Sequence, residues 1–272
     1  MSQADLGEPH SPLKDELFLE TAEARPLRLL AEYLEPLHQL RREGIHDTIV
    51  FFGSARLSAT GPLGRYYEDA RLLAKSLTKW SRELQTSRRR FVVCSGGGPG
   101  IMEAANRGAT EAGGKTIGLN IGLPNEQRPN PYITPSLNFE FRYFFMRKFW
   151  FAHLARALVV FPGGFGTLNE LTEILMLLQT GKVKRRVLVL LYGTSFWKEV
   201  LNLDALVRQG MIAENDLGLF RWSDTPEQAF AQLEAYLTSQ CLPEFGAETP
   251  AIAASTCSPK RTRKGPDEPG RL

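Results

Sequence analysis

The sequence has few residues of the kinds that hold metal ions or build disulfide frameworks. Its three cysteines, Cys94, Cys241 and Cys257, are widely spaced and form no CxxC pair. The four histidines do not fall at the spacing of metal ligands. The sequence therefore indicates neither a disulfide framework nor a zinc site, and we expect no bound metal.

The chain also lacks a strong charge of one sign and any long apolar run. Lys and Arg number 33 against 30 Asp and Glu, a net charge of +3, and part of this excess lies in the last dozen residues. No apolar run approaches the ~20 residues of a membrane span, and the N-terminus lacks the basic-then-apolar pattern of a signal peptide. We expect a cytoplasmic protein with no membrane contact and no specific nucleic-acid partner, since the basic residues at 260–264 favour only nonspecific binding.

Apolar segments of strand length alternate along the chain with helix-compatible segments. The former stay apolar throughout, which is typical of parallel strands covered on both faces. The predicted strands are 48–52, 91–94, 115–121, 157–161 and 186–192, and the predicted helices are 66–80, 101–112, 168–179, 196–207 and 225–236. This order predicts an α/β fold, a doubly wound parallel sheet with helices on both faces.

The two ends of the chain differ in composition from its middle. Residues 1–14 are polar and are expected to form a flexible N-terminus. Residues 15–45 predict a helical extension, split by Pro26 and Pro36, that packs on the outside of the sheet or on a partner subunit. Residues 46–240 are expected to form the α/β domain, and 246–272 are predicted to be a disordered basic tail.

A strand, a glycine turn and a helix start follow one another at VVFPGGFGTLNELT, residues 159–172. Such a junction directs unpaired backbone N–H groups and the positive end of a helix dipole to one point, where a phosphate can bind. The residues expected to contact the phosphate are Gly163, Gly164, Gly166 and Thr167. The sequence therefore predicts a phosphate site at this junction.

Glu170 is predicted to project from the first turn of the helix that follows. A carboxylate is a poor phosphate ligand, so this acid points to sugar binding or to chemistry. The alternative is a solvated acid that the helix dipole stabilises. Glu173 lies on nearly the same helix face, where it either orients Glu170 or accepts a hydrogen bond from a ligand.

A second glycine-rich junction, SGGGPG at 95–100, joins a predicted strand to a predicted helix. It does not fit the GxGxxG fingerprint, because a proline lies near the helix start and no acid ends a following strand where a ribose ligand is expected. A P-loop is excluded because GxxxxGK[ST] is absent. The glycines either bind a ligand or only permit close packing of helix on strand. The two junctions share one crevice if their strands are adjacent.

Three segments together resemble the Lonely Guy (LOG) family: SGGGPGIMEAANRGA at 95–109, the step Met146-Arg147-Lys148, and PGGFGTLNE at 162–170. The family comprises cytokinin riboside 5′-monophosphate phosphoribohydrolases, and the resemblance is to its longer bacterial members. It implies a Rossmann-like fold over about residues 46 to 240. The implied reaction is hydrolysis of the N-glycosidic bond of a cytokinin or purine nucleoside 5′-monophosphate, which gives the free base and ribose 5-phosphate.

The resemblance also implies roles for individual residues. Arg147 and Glu170 match the catalytic arginine and glutamate of the family. A carboxylate near the anomeric carbon stabilises the oxocarbenium-like transition state or activates water. The implied substrate-binding and phosphate-binding residues are Gly97, Gly98, Met102, Glu103, Lys148, Gly163, Gly164, Gly166, Thr167 and Glu173, with Ser54 and Arg56 as further candidates. A homo-oligomer, a dimer or higher, is implied as well.

Other interpretations stay open. A non-catalytic nucleotide sensor or carrier would use the same crevice without turnover. The label lysine decarboxylase, which many family members have received, requires pyridoxal phosphate on a Schiff-base lysine. No lysine lies in a recognisable context for that cofactor, and we expect none. The aromatic run 139–151 either stacks on a base or packs in the core and at a subunit interface, and its density favours packing.

Overall fold

The computed structural model describes residues 11–84, 86–122, 128–183 and 185–242. The predicted tail 246–272 and the first ten residues of the predicted flexible N-terminus lie outside the described residues. No helix in the described ranges is both long and apolar enough to cross a membrane.

Within the described residues, seven parallel strands form one sheet in the order β4-β3-β2-β1-β5-β6-β7. In chain order they are β1 (Thr48–Phe52), β2 (Val92–Ser95), β3 (Thr116–Ile121), β4 (Asn138–Phe141), β5 (Ala155–Val160), β6 (Leu188–Tyr192) and β7 (Phe220–Ser223). The strand order reverses at β1, because β2 to β4 extend the sheet on one side and β5 to β7 on the other. Such a reversal opens a crevice at the carboxyl ends of the strands.

Helices cover both faces of this sheet. In chain order they are α1 (Glu16–Glu20), α2 (Arg25–Arg42), α3 (Gly64–Glu83), α4 (Ile101–Glu111), α5 (Phe144–Leu154), α6 (Phe165–Gln179), α7 (Thr194–Val200), α8 (Leu203–Arg208) and α9 (Pro226–Gln240). Buried side chains of α3, α4 and α9 form a core with one face, and those of α2, α5, α6 and α7 form a core with the other. The predicted fold, doubly wound and Rossmann-like, is therefore confirmed.

The N-terminal extension packs on the outside of the sheet, one of its two predicted positions. The Trp150 indole Nε1 of α5 donates a hydrogen bond of 2.9 Å to the Glu32 carbonyl of α2. Arg28 Nε donates to the Tyr143 hydroxyl at 3.0 Å. The Tyr33 and Trp150 rings stack with their centroids 5.9 Å apart. These contacts attach α2 to α5.

One prediction about this extension is wrong, since Pro36 does not split it. α2 runs from Arg25 through Pro36 to Arg42, and Pro26 stands at its start. Proline inside a helix removes a backbone hydrogen bond and costs about 3 kcal/mol. Pro36 is itself buried, and Leu37 and Leu40 beside it join the core under α2. Burial of this face offsets the lost bond.

Two further features of the second half of the chain differ from prediction. The helix predicted at 196–207 is two helices, because the Asn202 side chain accepts a hydrogen bond of 2.9 Å from the Ala205 N–H and starts α8 there. The strand β7 was not predicted. β7 is the outermost strand at one edge of the sheet and has only four residues, and it is recognised as a strand because it pairs with β6. The run of aromatics divides as well: Trp150 and Phe151 are buried, whereas Phe144 and Phe145 are 52% and 51% exposed.

Candidate active site

The loop after β1 joins the two glycine-rich turns. The strands β2 and β5, which precede the turns, are not adjacent, because β1 lies between them. The Ser54 N–H donates to the Pro162 carbonyl at 3.0 Å, and the Ile101 N–H donates to the Ser54 carbonyl at 3.1 Å. The two turns therefore meet at the carboxyl ends of the central strands. Ser54, which the resemblance implied as a site residue, links them.

The PGGFGT turn ends in a helix start that is open to solvent. α6 begins at Phe165, so Gly166 and Thr167 belong to its first turn, and no side chain of the described residues caps it. A methyl group added at Gly164 or Gly166 would meet no atom of the described residues within 4 Å. The unpaired N–H groups and the helix dipole are thus accessible, as anion binding requires.

Gly163 has a different role from its two neighbours. A Cβ at this position would lie 2.1 Å from Thr167 Oγ1. Thr167 is buried, with 5% of its surface exposed. Gly163 therefore lets the turn pack against Thr167, whereas Gly164 and Gly166 leave space above the helix start.

Arg147 of α5 and Glu170 of α6 face each other beside this turn. Arg147 Nη2 lies 3.6 Å from Glu170 Oε1, and the two side chains are only 13% and 15% exposed. The Arg147 guanidinium also lies over the rings of Phe144 and Phe151, at 5.2 and 5.7 Å from their centroids. The structure therefore brings together the two residues that the family resemblance paired, within one chain.

Burial controls the charge of this pair. Removal from water raises the pKa of Glu170 to about 7, and this effect outweighs the opposing charges of Arg147 and Lys148. Burial also lowers the pKa of Arg147, although the Glu170 charge acts in the other direction. Glu170 is thus a carboxyl group that titrates near neutral pH, a property typical of acid–base groups in enzymes.

Glu170 lies deeper in the helix than predicted. It is the sixth residue of α6, one turn beyond Thr167, because the helix begins at Phe165 rather than near Thr167. Glu173, which was expected to orient Glu170 or to bind a ligand, pairs instead with Lys148 Nζ at 2.8 Å. Its negative charge contributes to the raised pKa of Glu170. A small cavity is bounded by Glu170, by the Lys148–Glu173 pair and by the rings of Phe52 and Phe151.

The SGGGPG turn is held by asparagines that the sequence analysis did not single out. Asn130 Nδ2 donates to the carbonyls of Gly97 and Gly98 at 3.0 and 3.1 Å. Gly97 has a φ of +76°, and a Cβ there would lie 2.1 Å from Asn120 Oδ1. Glycine at 97 is thus required by the packing of the chain itself. The asparagines gave no signal, because their burial follows only from the folded chain.

The other predicted site residues divide between the crevice and its surroundings. Met102 lies beside the SGGGPG turn, since a Cβ on Gly96 would be 2.8 Å from its sulfur. Glu103 accepts a hydrogen bond of 2.9 Å from the Tyr67 hydroxyl and is thereby held against α3. Arg56 is exposed, and its N–H donates to Ser54 Oγ at 3.1 Å. Among the described residues, no group of three or more His, Cys, Asp or Glu could hold a metal ion.

Comparison with known proteins supports the motif-based interpretation. The family model described as "Possible lysine decarboxylase" matches residues 102–233. A protein of Oryza sativa subsp. japonica named cytokinin riboside 5′-monophosphate phosphoribohydrolase LOG is 28% identical over 201 residues, which cover 72% of this chain and 76% of the relative. The predicted resemblance to the LOG family is confirmed.

Further relatives show the same resemblance. A probable cytokinin riboside 5′-monophosphate phosphoribohydrolase, LOGL3 of the same organism, is 26% identical over 199 residues, 70% of this chain and 84% of the relative. The X-ray structure of TM1055, a structural genomics target, matches 70% of this chain and 99% of its own with a TM-score of 0.50 at 23% identity. This last likeness supports the fold alone.

Proposed function

We propose that this protein hydrolyses the N-glycosidic bond of a purine or cytokinin nucleoside 5′-monophosphate and releases the free base and ribose 5-phosphate. The observation that carries the proposal is the buried pair Arg147–Glu170 beside the open start of α6. A phosphate site alone gains nothing from a buried acid. The names of the curated relatives support the same reaction.

The 5′-phosphate binds at the N-terminus of α6 in this proposal. The N–H groups of the PGGFGT turn and the Thr167 hydroxyl donate to its oxygens. Glu170 lies three residues beyond Thr167 in α6, about 4.5 Å further along the helix axis. The ribose joins the phosphate to the base, so the acid lies on the sugar side of the phosphate.

Glu170 acts on the anomeric centre. As a carboxylate it stabilises the positive charge that develops on the sugar when the bond to the base breaks, or it removes a proton from the attacking water. Arg147 binds ligand oxygens or stabilises charge on the departing base, because its planar guanidinium offers several donors in fixed geometry. Gly97, Gly98 and Met102 line the nucleotide side of the same crevice.

The test is to incubate the protein with AMP and with isopentenyladenosine monophosphate and to measure the free base by chromatography. We expect release by the wild type and its loss in Glu170→Gln. Glu199→Gln, the same change at an exposed acid on α7, is the matched control and keeps the activity. Absence of base release with any nucleoside monophosphate contradicts the proposal, and tight binding of an unchanged nucleotide would instead favour a sensor or carrier.

We also propose that the protein is a homo-oligomer. Support comes from large apolar side chains left exposed on neighbouring helices, with Leu30 and Leu34 of α2 at 55% and 54% and Phe145 of α5 at 51%. Apolar patches of this kind are typical of subunit interfaces. Light scattering after size-exclusion chromatography measures the mass in solution, and a monomer at micromolar concentration contradicts this proposal.

A further inference from the structure

A second cavity lies at the amino ends of the strands, on the side of the sheet opposite to the carboxyl ends where the candidate active site lies. Its volume is about 590 Å³. It is bounded by the C-terminal ends of α2 and α3, by the segment before β2 and by the turn between α4 and β3. The candidate active site lies at the carboxyl ends of the strands, whereas this cavity lies at their amino ends. Strands of four to six residues separate the two by roughly 13–20 Å.

The side chains that line this cavity are strongly basic. Five cations and one acid face it: Arg42, Arg82, Arg88, Arg89 and Lys115, with Glu43. The excess is 5 − 1 = 4 positive charges. Arg90 also lines the cavity, but it is balanced by the buried Asp47, which lies 2.7 Å from its Nη2.

Part of this positive charge is offset by the negative ends of the helix dipoles at this cavity. Three helices, α2, α3 and α4, end at the cavity, and each C-terminus carries about half a negative charge, or about 1.5 in total. Arg82 Nη1 donates to the Ala112 carbonyl at 2.5 Å, and Arg89 Nε donates to the Glu43 carbonyl at 3.2 Å. The helix ends therefore offset less than half of the excess.

Two of the guanidinium groups at this cavity, those of Arg42 and Arg88, have no hydrogen-bond or ion-pair partner among the described residues. Lys115 pairs with Glu43. Within the described residues, the side chains of Arg42 and Arg88 make neither a hydrogen bond nor an ion pair, and both residues are exposed. Guanidinium forks match phosphate oxygens in geometry and in charge. Arg42 and Arg88 thus stand at the cavity with their donors available.

We propose that this cavity, here called the basic cavity, binds a small polyanion that carries two or more phosphate groups. The net excess of about 2.5 charges that remains after the helix dipoles are counted suits a multiply charged ligand better than a single phosphate. The volume lies in the range of small-molecule sites, roughly 300–1,000 Å³. Free polyphosphate and the polyphosphate portion of a nucleotide share this chemistry. The proposal is independent of the reaction proposed above.

The test is calorimetric titration of the full-length protein with tripolyphosphate and with ATP, in 0.1 M salt. We expect tripolyphosphate to bind, and to bind more weakly in 0.5 M salt because of screening. Arg42→Ala combined with Arg88→Ala is expected to weaken binding about tenfold or more, since two charge-assisted contacts are lost. Binding of ATP as well assigns recognition to the triphosphate portion, and binding of tripolyphosphate alone assigns it to the free anion.

The matched control is Arg41→Ala, which removes an exposed arginine from the same last turn of α2 without touching the basic cavity. Its affinity for tripolyphosphate stays that of the wild type. Arg88→Gln alone is expected to show an intermediate loss, so the proposal stays testable if the double variant misfolds. No binding to the wild type, equal affinity in the Arg42/Arg88 variant, or loss of binding in Thr167→Val overturns it, since the last result places the anion in the candidate active site.

Discussion

Arg147 and Glu170 form a buried ion pair whose charged atoms are farther apart than in a hydrogen-bonded pair. The closest approach of the two groups is 3.6 Å. Arg147 Nε is buried and has no hydrogen-bond partner among the described residues. A buried donor without a partner costs about 1–3 kcal/mol. An oxygen of a bound ligand at this position would remove that cost, which agrees with the proposed role of Arg147 in substrate binding.

Replacing Arg147 tests whether its geometry matters beyond its charge. Lysine keeps the charge but lacks the planar fork, so we expect Arg147→Lys to lower kcat/KM for base release by about ten- to a hundredfold. Arg142→Lys is the control, because Arg142 lies just before α5 in an exposed pair with Glu20. Equal kcat/KM in wild type and Arg147→Lys would show that only the positive charge is needed.

The raised pKa of Glu170 predicts the pH dependence of the reaction. If the carboxylate is the active form, kcat/KM rises with pH and reaches a plateau above about 7. Because the Glu173 charge raises the pKa of Glu170, Glu173→Gln should move the inflection to lower pH. The substrate phosphate also titrates near pH 6, but the substitution leaves that titration unchanged. A rate that falls as pH rises through 7 would mean that Glu170 donates a proton instead.

The same shift predicts how stability depends on pH. Glu170 has an ordinary pKa of 4.5 and one of about 7 in the folded chain. The folded state therefore binds more protons between these values, and the free energy of unfolding falls as pH rises from 4.5 to 7. Relative to Glu170→Gln, the wild type should lose up to about 3 kcal/mol over this range. Urea unfolding at several pH values measures this difference, and parallel curves for the two proteins would refute it.

Two glycines of the PGGFGT turn should respond in opposite ways to alanine. Gly163→Ala brings a methyl group against Thr167 Oγ1 and should destabilise the protein by about 1–3 kcal/mol. Gly166→Ala enters open space in the first turn of α6, so stability should stay equal or rise by up to about 1 kcal/mol. Its methyl group nevertheless lies where the phosphate is proposed to approach, and binding of ribose 5-phosphate should weaken. Unchanged binding in Gly166→Ala would place the phosphate elsewhere.

The sequence predicted those elements whose signal is local. The apolar runs of β1, β5 and β6 and the glycine turns after β2 and β5 identified the sheet and its crevice. β7 was missed because its pairing with β6 depends on the folded chain. The continuous α2 was missed because burial around Pro36 outweighs a local rule. Tertiary packing decides in both cases.

The candidate site shows the same limit. The glycines and the helix start predicted a phosphate site at the PGGFGT turn. The pairing of Arg147 with Glu170 was predicted from the family resemblance and not from spacing. The hydrogen bonds of Asn130 to the SGGGPG turn bridge more than 30 residues of sequence. No local pattern encodes such contacts, so burial and partners had to come from the structure.

The N-terminal extension contacts the helix that carries Arg147. Arg147 is carried by α5, and α2 holds that helix from outside through Trp150 and Tyr143. Because α5 is a continuous helix, a displacement of α2 would also move α5 and the side chains that it carries. The position of Arg147 therefore depends in part on residues that precede β1.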